Sequence, residues 1–146
     1  MKHLLIMLFI IASALECCQY PDLTEVQIDK KEYSLEIIAA KNCNDAGGGG
    51  TEMEIKYNCY TIPRLLTDLL GRQLTQRYKA QTGLDKEFHI HEFQETGKRY
   101  PYMFDINLRF NEEKYTRQTL PYEEIISLLE THYNIKINYS PRDYSF

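Results

Sequence analysis

Apolar and polar residues alternate in twos over most of this chain, and twice the period lengthens to that of a helix. Val26 and Ile28, two apart within residues 22–29, predict a short strand, and the charged "DKKE" that follows predicts a turn. A second strand follows, with Tyr33, Leu35, Ile37 and Ala39 on one face. In "EMEIKYNCY", Met53, Ile55, Tyr57 and Cys59 point one way and Glu54, Lys56 and Asn58 the other. That is the pattern of a half-solvated strand in an antiparallel sheet.

The first helix is predicted from Thr61 onward, where Leu65, Leu66, Leu69, Leu70 and Leu74 form a stripe at helical spacing. Thr61 is placed to cap it, and Pro63 suits its first turn, where no amide donor is missed. Gly71 costs a helix interior about 1 kcal/mol relative to alanine, which marks an end or a bend there. Thr82-Gly83 predicts a turn, "LDKEFHIHEF" a further strand, and Thr96-Gly97 another turn.

The clearest strand is "YMFDINLRF", with Tyr102, Phe104, Ile106, Leu108 and Phe110 on one face and Met103, Asp105, Asn107 and Arg109 on the other. "NEEKYTRQ" reads as a polar loop. Thr119-Leu120-Pro121 repeats the Thr-apolar-Pro opening of the first helix, and Ile125, Ile126, Leu128, Leu129 and Tyr133 form the next apolar stripe. A last strand carries Ile135, Ile137 and Tyr139.

This order predicts an α+β fold, an antiparallel or mixed sheet of about five to six strands with two helices on one face. Its core is expected at Leu35, Ile37, Ile55, Tyr57, Leu66, Leu69, Leu70, Phe104, Ile106, Leu108, Ile125, Leu129 and Ile137.

The first residues follow a different pattern. Lys2 and His3 precede the apolar run "LLIMLFIIASA", and Ala12-Ser13-Ala14 fits a cleavage site. The run is shorter than the ~20 residues that span a membrane. The expected organisation is a signal peptide over 1–14, an N-terminal arm over 15–23 and one domain over 24–146. A periplasmic, cell-surface or secreted location follows, in which disulfides persist. Cys17 or Cys18 offers an alternative, a lipid anchor, although Glu16 beside Cys17 suits a membrane-embedded protease pocket poorly.

Composition narrows the partners. With 146 residues and 43% hydrophobic content, the chain can bury a core. Its 12 tyrosines suit strand packing. The net charge is −4 and no basic stripe occurs, so nucleic acid is not an expected partner; an unidentified protein or small ligand is.

Four features bear on chemistry. The run "CNDAGGGGTE" invites a phosphate-loop reading, but that loop needs a following helix and a Lys-Ser/Thr pair. Here a strand follows, so the glycines read as a loose connection between strands. Cys43 and Cys59 flank that connection. If the glycines form the turn of a tight hairpin, some eight strand residues at ~3.3 Å each separate the two cysteines. A disulfide needs α-carbons within ~7 Å, so this register argues for bonds elsewhere, to Cys17 or Cys18, with the connectivity open.

In "HIHE", His89 and His91 share a strand face and could be two metal ligands. A zinc site needs a third, for which His132, Glu95 and Asp105 are available. The plainer reading is two solvent-facing histidines, with Phe88 and Ile90 inward. The acidic pair Glu123-Glu124 suits a helix first turn, and Glu112-Glu113 a loop. No cofactor is expected.

The succession "KKEYSLEIIAAK", glycine-rich stretch, strand, "IPRLLTDLLGRQL", "TG", "YMFDINLRF" and "YEEIISLLETHYNIKINY" resembles the C-terminal half of the "soil-associated" family of secreted bacterial proteins, over residues 24–139. The family's N-terminal half has no counterpart here, and residues 85–95, with both histidines, are an additional segment. Family members attached to antirepressor-type membrane metallopeptidases or thioredoxin-like domains imply an extracytoplasmic sensing or binding role. The expectation is therefore a non-enzymatic bacterial binding module. The alternatives are a metal- or thiol-dependent enzyme using His89 and His91, and a surface lipoprotein.

Overall fold

The computed structural model describes residues 25–41, 43–44, 46–51, 53–91, 93–97, 102–111 and 119–140. Among these residues, seven strands and two helices follow in the order β1 (Val26–Asp29), β2 (Tyr33–Ala39), β3 (Gly47–Gly50), β4 (Glu54–Tyr60), α1 (Ile62–Thr82), β5 (Phe93–Gly97), β6 (Phe104–Phe110), α2 (Tyr122–Tyr133) and β7 (Ile135–Tyr139). The first sheet is antiparallel with strand order β1-β2-β6-β4-β3, and β5 pairs with β7 in a second, two-stranded sheet.

Register makes the large sheet two-faced. Leu35 and Ile55 both lie opposite Leu108, and Ile37 and Tyr57 both lie opposite Ile106. With Tyr33, Phe104 and Phe110 these form one buried face. The other face carries Ser34, Glu36, Glu54, Lys56, Asn107 and Arg109, where Glu54 takes a 2.8 Å bond from Arg109 Nε and a 2.9 Å ion pair with Lys56. Both helices press on the buried face, and every expected core residue lies in the resulting cluster.

The first helix follows its sequence signals. Thr61 Oγ1 accepts the Arg64 amide, proline stands in the first turn, and Gly83 ends the helix in the left-handed region at φ 71° with its N–H on the Lys79 carbonyl. Gly71 does not end it: the helix runs through to Thr82. A Cβ there would stand 2.5 Å from the Phe88 carbonyl oxygen, so glycine is required because the segment after the helix crosses directly over it. The second helix departs from the first: it starts at Tyr122, after Pro121, with no side-chain cap. Its first turn is acidic, and Glu124 accepts from Lys30 and, at 3.3 Å, from the Tyr33 hydroxyl. The Lys30 hydrogen bond holds the Glu124 carboxyl below the usual carboxylate range.

Four expectations are corrected. Residues 84–91 form no strand; β5 begins only at Phe93. Thr96 and Gly97 are the end of β5 rather than a turn, and Gly97 (φ 109°) is there because a Cβ would lie 2.1 Å from the Asn134 carbonyl. Met53 is exposed and precedes β4 instead of sharing its buried face. The glycine run is itself a strand, β3, paired with β4 from Gly47↔Asn58 to Gly50↔Ile55, so the chain reverses after Gly50 rather than within the glycines. The polar loop with Glu112-Glu113 and the signal, arm and lipid-anchor readings of residues 1–23 lie outside the described residues. No helix among the described residues is long and apolar enough to cross a membrane.

Candidate functional site

Because the turn lies beyond the glycines, both hairpin arms lead back to the same end, and Cys43 meets Cys59 there. They form a disulfide, with α-carbons 5.4 Å apart. The register argument against this pair fails because it placed the turn inside the glycine run. Cys59 also sits at an irregularity: its φ is +54°, and the β4–β6 register shifts between Tyr57 and Tyr60. A left-handed non-glycine residue costs about 1–3 kcal/mol and persists only when its surroundings enforce it. Here the disulfide and the 3.1 Å bond from the Cys59 amide to Asp105 Oδ1 do so. The shift also turns Tyr60 inward, so that Cys59 and Tyr60 are both buried.

The disulfide pins an unusual edge. β3 is the last strand of the large sheet and all four of its residues are exposed. Nothing lies within 4 Å of where a Cβ at Gly47 or Gly49 would be. Natural edges are blunted by lysine, proline or bulges, whereas glycine within a strand marks places where another backbone approaches closely. Among the described residues, no strand pairs with the outer side of β3.

An aromatic and charged cluster stands beside this edge on the buried side of the sheet. The Tyr57 ring lies against Gly48, and the Tyr57 and Tyr60 ring centroids are 4.4 Å apart. Tyr60 Oη donates to Asp68 Oδ2 at 2.8 Å. Burial first, and then the Asp68 carboxylate, push the Tyr60 hydroxyl up to about 12. Arg64 stacks on the Tyr60 ring with Cζ 4.5 Å from its centroid. Arg72, half-buried, faces Tyr57, Tyr122 and Asp68. Arg64, Asp68 and Arg72 are four apart, so α1 presents all three on the side facing the tyrosines.

The other candidates are less organised. His89 and His91 are exposed, with ring centroids 6.2 Å apart, while Phe88 is buried and Ile90 packs on the core, as the plainer reading expects. His89 Nε2 lies 3.8 Å from Glu87. Of the proposed third ligands, Asp105 is engaged by the Cys59 amide, His132 stands edge-on to Tyr133, and Glu95 lies opposite Ile137 in β5. Among the described residues, no group of three histidine, cysteine or acidic side chains is placed to hold a metal. A groove of about 310 Å³ between α1, α2 and β7 is lined by Leu66, Leu70, Arg77, Ile126 and Ile137, and an open depression of about 510 Å³ lies along α2 at Glu124, Leu128 and His132. The groove is also lined by Gln73, Glu123, Ser127 and Glu130, and the depression by Ser127 and Thr131, so both carry mixed polar and apolar linings.

No protein-family model, curated protein or solved structure matches this chain.

Proposed function

We propose that this protein is an exported, non-enzymatic binding module that captures an extended polypeptide by adding it as a strand to β3. The observation that carries this is the edge itself: four exposed glycines, hydrogen-bonded to β4 on one side and anchored by a disulfide next to them. Strand addition takes its affinity from main-chain hydrogen bonds, which need an unobstructed backbone held in register. Glycine supplies the unobstructed backbone. The disulfide and the β4 pairing supply the order that glycine lacks by its own propensity.

Export is part of the same proposal. The disulfide is compatible with an oxidising compartment, and residues 1–14 carry the signal-peptide pattern. The resemblance to the soil-associated family points to the same class of role. The metal-enzyme reading has no third ligand placed beside His89 and His91 among the described residues, and Cys43 and Cys59 are bonded to each other.

The test is selection from a displayed library of peptides of about ten residues on the oxidised protein. Binders are expected, and methylating alternate backbone nitrogens in them abolishes binding. Binders that tolerate this methylation, or none above background, contradict strand capture.

A further inference from the structure

The identity of the incoming strand is constrained by what stands behind the bare edge. A strand added outside β3 would run about 9.6 Å from β4, two strand spacings away. Ordinarily the side chains of the intervening strand would fill that interval. Here the intervening strand is glycine, and at Gly48 only its backbone separates the incoming side chains from the Tyr57 ring, which lies against Tyr60. The groups next to those rings are Arg64, stacked on Tyr60, and Arg72, which is directed at the Tyr57 hydroxyl; neither has an ion-pair partner within 4 Å among the described residues. Asp68, the acidic group between them, is engaged by the Tyr60 hydroxyl. Tyr60, with its hydroxyl bonded to that carboxylate, adds no negative charge at neutral pH. The cluster therefore carries a local positive excess on a chain of net charge −4.

Resting on the strand-capture reading above, we propose that the captured segment is acidic, with alternate Asp or Glu side chains reaching over the glycines to Arg64 and Arg72. Successive side chains of an extended strand point to opposite faces, so the carboxylates that matter are two residues apart. A second copy of this chain is the poorer occupant. Two β3 edges paired across a two-fold axis would bring both Arg64–Arg72 clusters together and would join two chains of the same net charge.

The test uses three blocked synthetic peptides of about ten residues, alternating Thr-Glu, Thr-Gln and Thr-Lys, titrated into the full oxidised protein at low and high salt. The Thr-Glu peptide is expected to bind about fivefold more tightly than Thr-Gln at low salt, and Thr-Lys more weakly than either. Arg64→Gln, at an exposed position, should remove most of that preference while Thr-Gln binding persists; Arg72→Gln should do the same if it folds. Equal binding of Thr-Glu and Thr-Gln, with Gly47–Gly50 protected by both, overturns the acidic preference and leaves strand capture standing. If no peptide protects Gly47–Gly50, or if the protein protects them by self-association, both readings fall.

Discussion

Gly48 lies directly opposite Tyr57, and the Tyr57 ring occupies the place where a side chain at position 48 would begin: a Cβ there would be 2.7 Å from Tyr57 Cδ1. The ring therefore covers the backbone of the edge strand from the buried side, an aromatic residue compensating for a glycine that packs nothing itself. At Gly49 the same Cβ meets nothing within 4 Å. Gly48→Ala is expected to cost about 1–3 kcal/mol through overpacking, and Gly49→Ala to stay within about 0.5 kcal/mol. Urea denaturation of the two variants measures the difference; equal midpoints would show that the ring does not seat on the strand.

Gly71 sets two effects against each other. Alanine raises helix propensity by about 1 kcal/mol, but its Cβ would sit 2.5 Å from a backbone oxygen that cannot rotate away. The steric effect should win, so that Gly71→Ala lowers stability by about 1–3 kcal/mol. A higher melting temperature for this variant would mean that the segment around Phe88 does not cross the helix there.

The Cys43–Cys59 bond closes a short loop of sequence separation 16. Its loss is expected to cost about 3 kcal/mol on the chain-entropy model, and to loosen β3 most. Cys43→Ser/Cys59→Ser should show this in denaturation midpoint and in weaker peptide binding. Peptide mapping without reductant should find the 43–59 cross-link; recovery of either cysteine bonded to Cys17 or Cys18 would contradict the pairing.

Tyr60 provides a pH signature. Its folded-state pKa of about 12 lies above the ordinary tyrosine value of 10.0, so the folded protein holds this proton more tightly than the unfolded chain. The corresponding stabilisation is complete below pH ~10 and is lost as pH rises toward ~12, amounting to about 1–2 kcal/mol once screening by solvent is allowed for. Tyr60→Phe should flatten that part of the stability profile. A wild-type profile with the same slope as Tyr60→Phe would show that Tyr60 is not held by Asp68.

Most of the framework was legible because alternation and helical stripes report burial directly. Ile55 and Tyr57 on β4, the leucines of α1, and Phe104, Ile106 and Leu108 on β6 are all buried as their spacing requires. Tyr33, Tyr122 and Tyr133 were not in the expected core, although all three are fully buried. A tyrosine can bury its ring and keep a polar tip engaged, so its type alone does not decide.

The candidate site was the least legible part. Glycine has low strand propensity, and nothing in four identical side-chain-free residues shows alternation, so β3 read as slack. Its pairing comes from the neighbouring β4 and from the disulfide, both tertiary facts. Misplacing the turn by a few residues then removed the Cys43–Cys59 bond from the expectation. Arg64, Asp68 and Arg72 stand four apart on the helix, but only the bulge at Cys59, which turns Tyr60 inward, gives Arg64 and Asp68 the ring and hydroxyl they face.

The central claim is that β3 takes up another strand, and the most direct measurement is amide hydrogen exchange at Gly47–Gly50 with and without a saturating peptide from the library selection. Strand addition predicts at least about tenfold slower exchange at alternate glycines, those whose N–H groups point away from β4, with little change along α2. Unchanged exchange across all four glycines, with the peptide demonstrably bound, would contradict it.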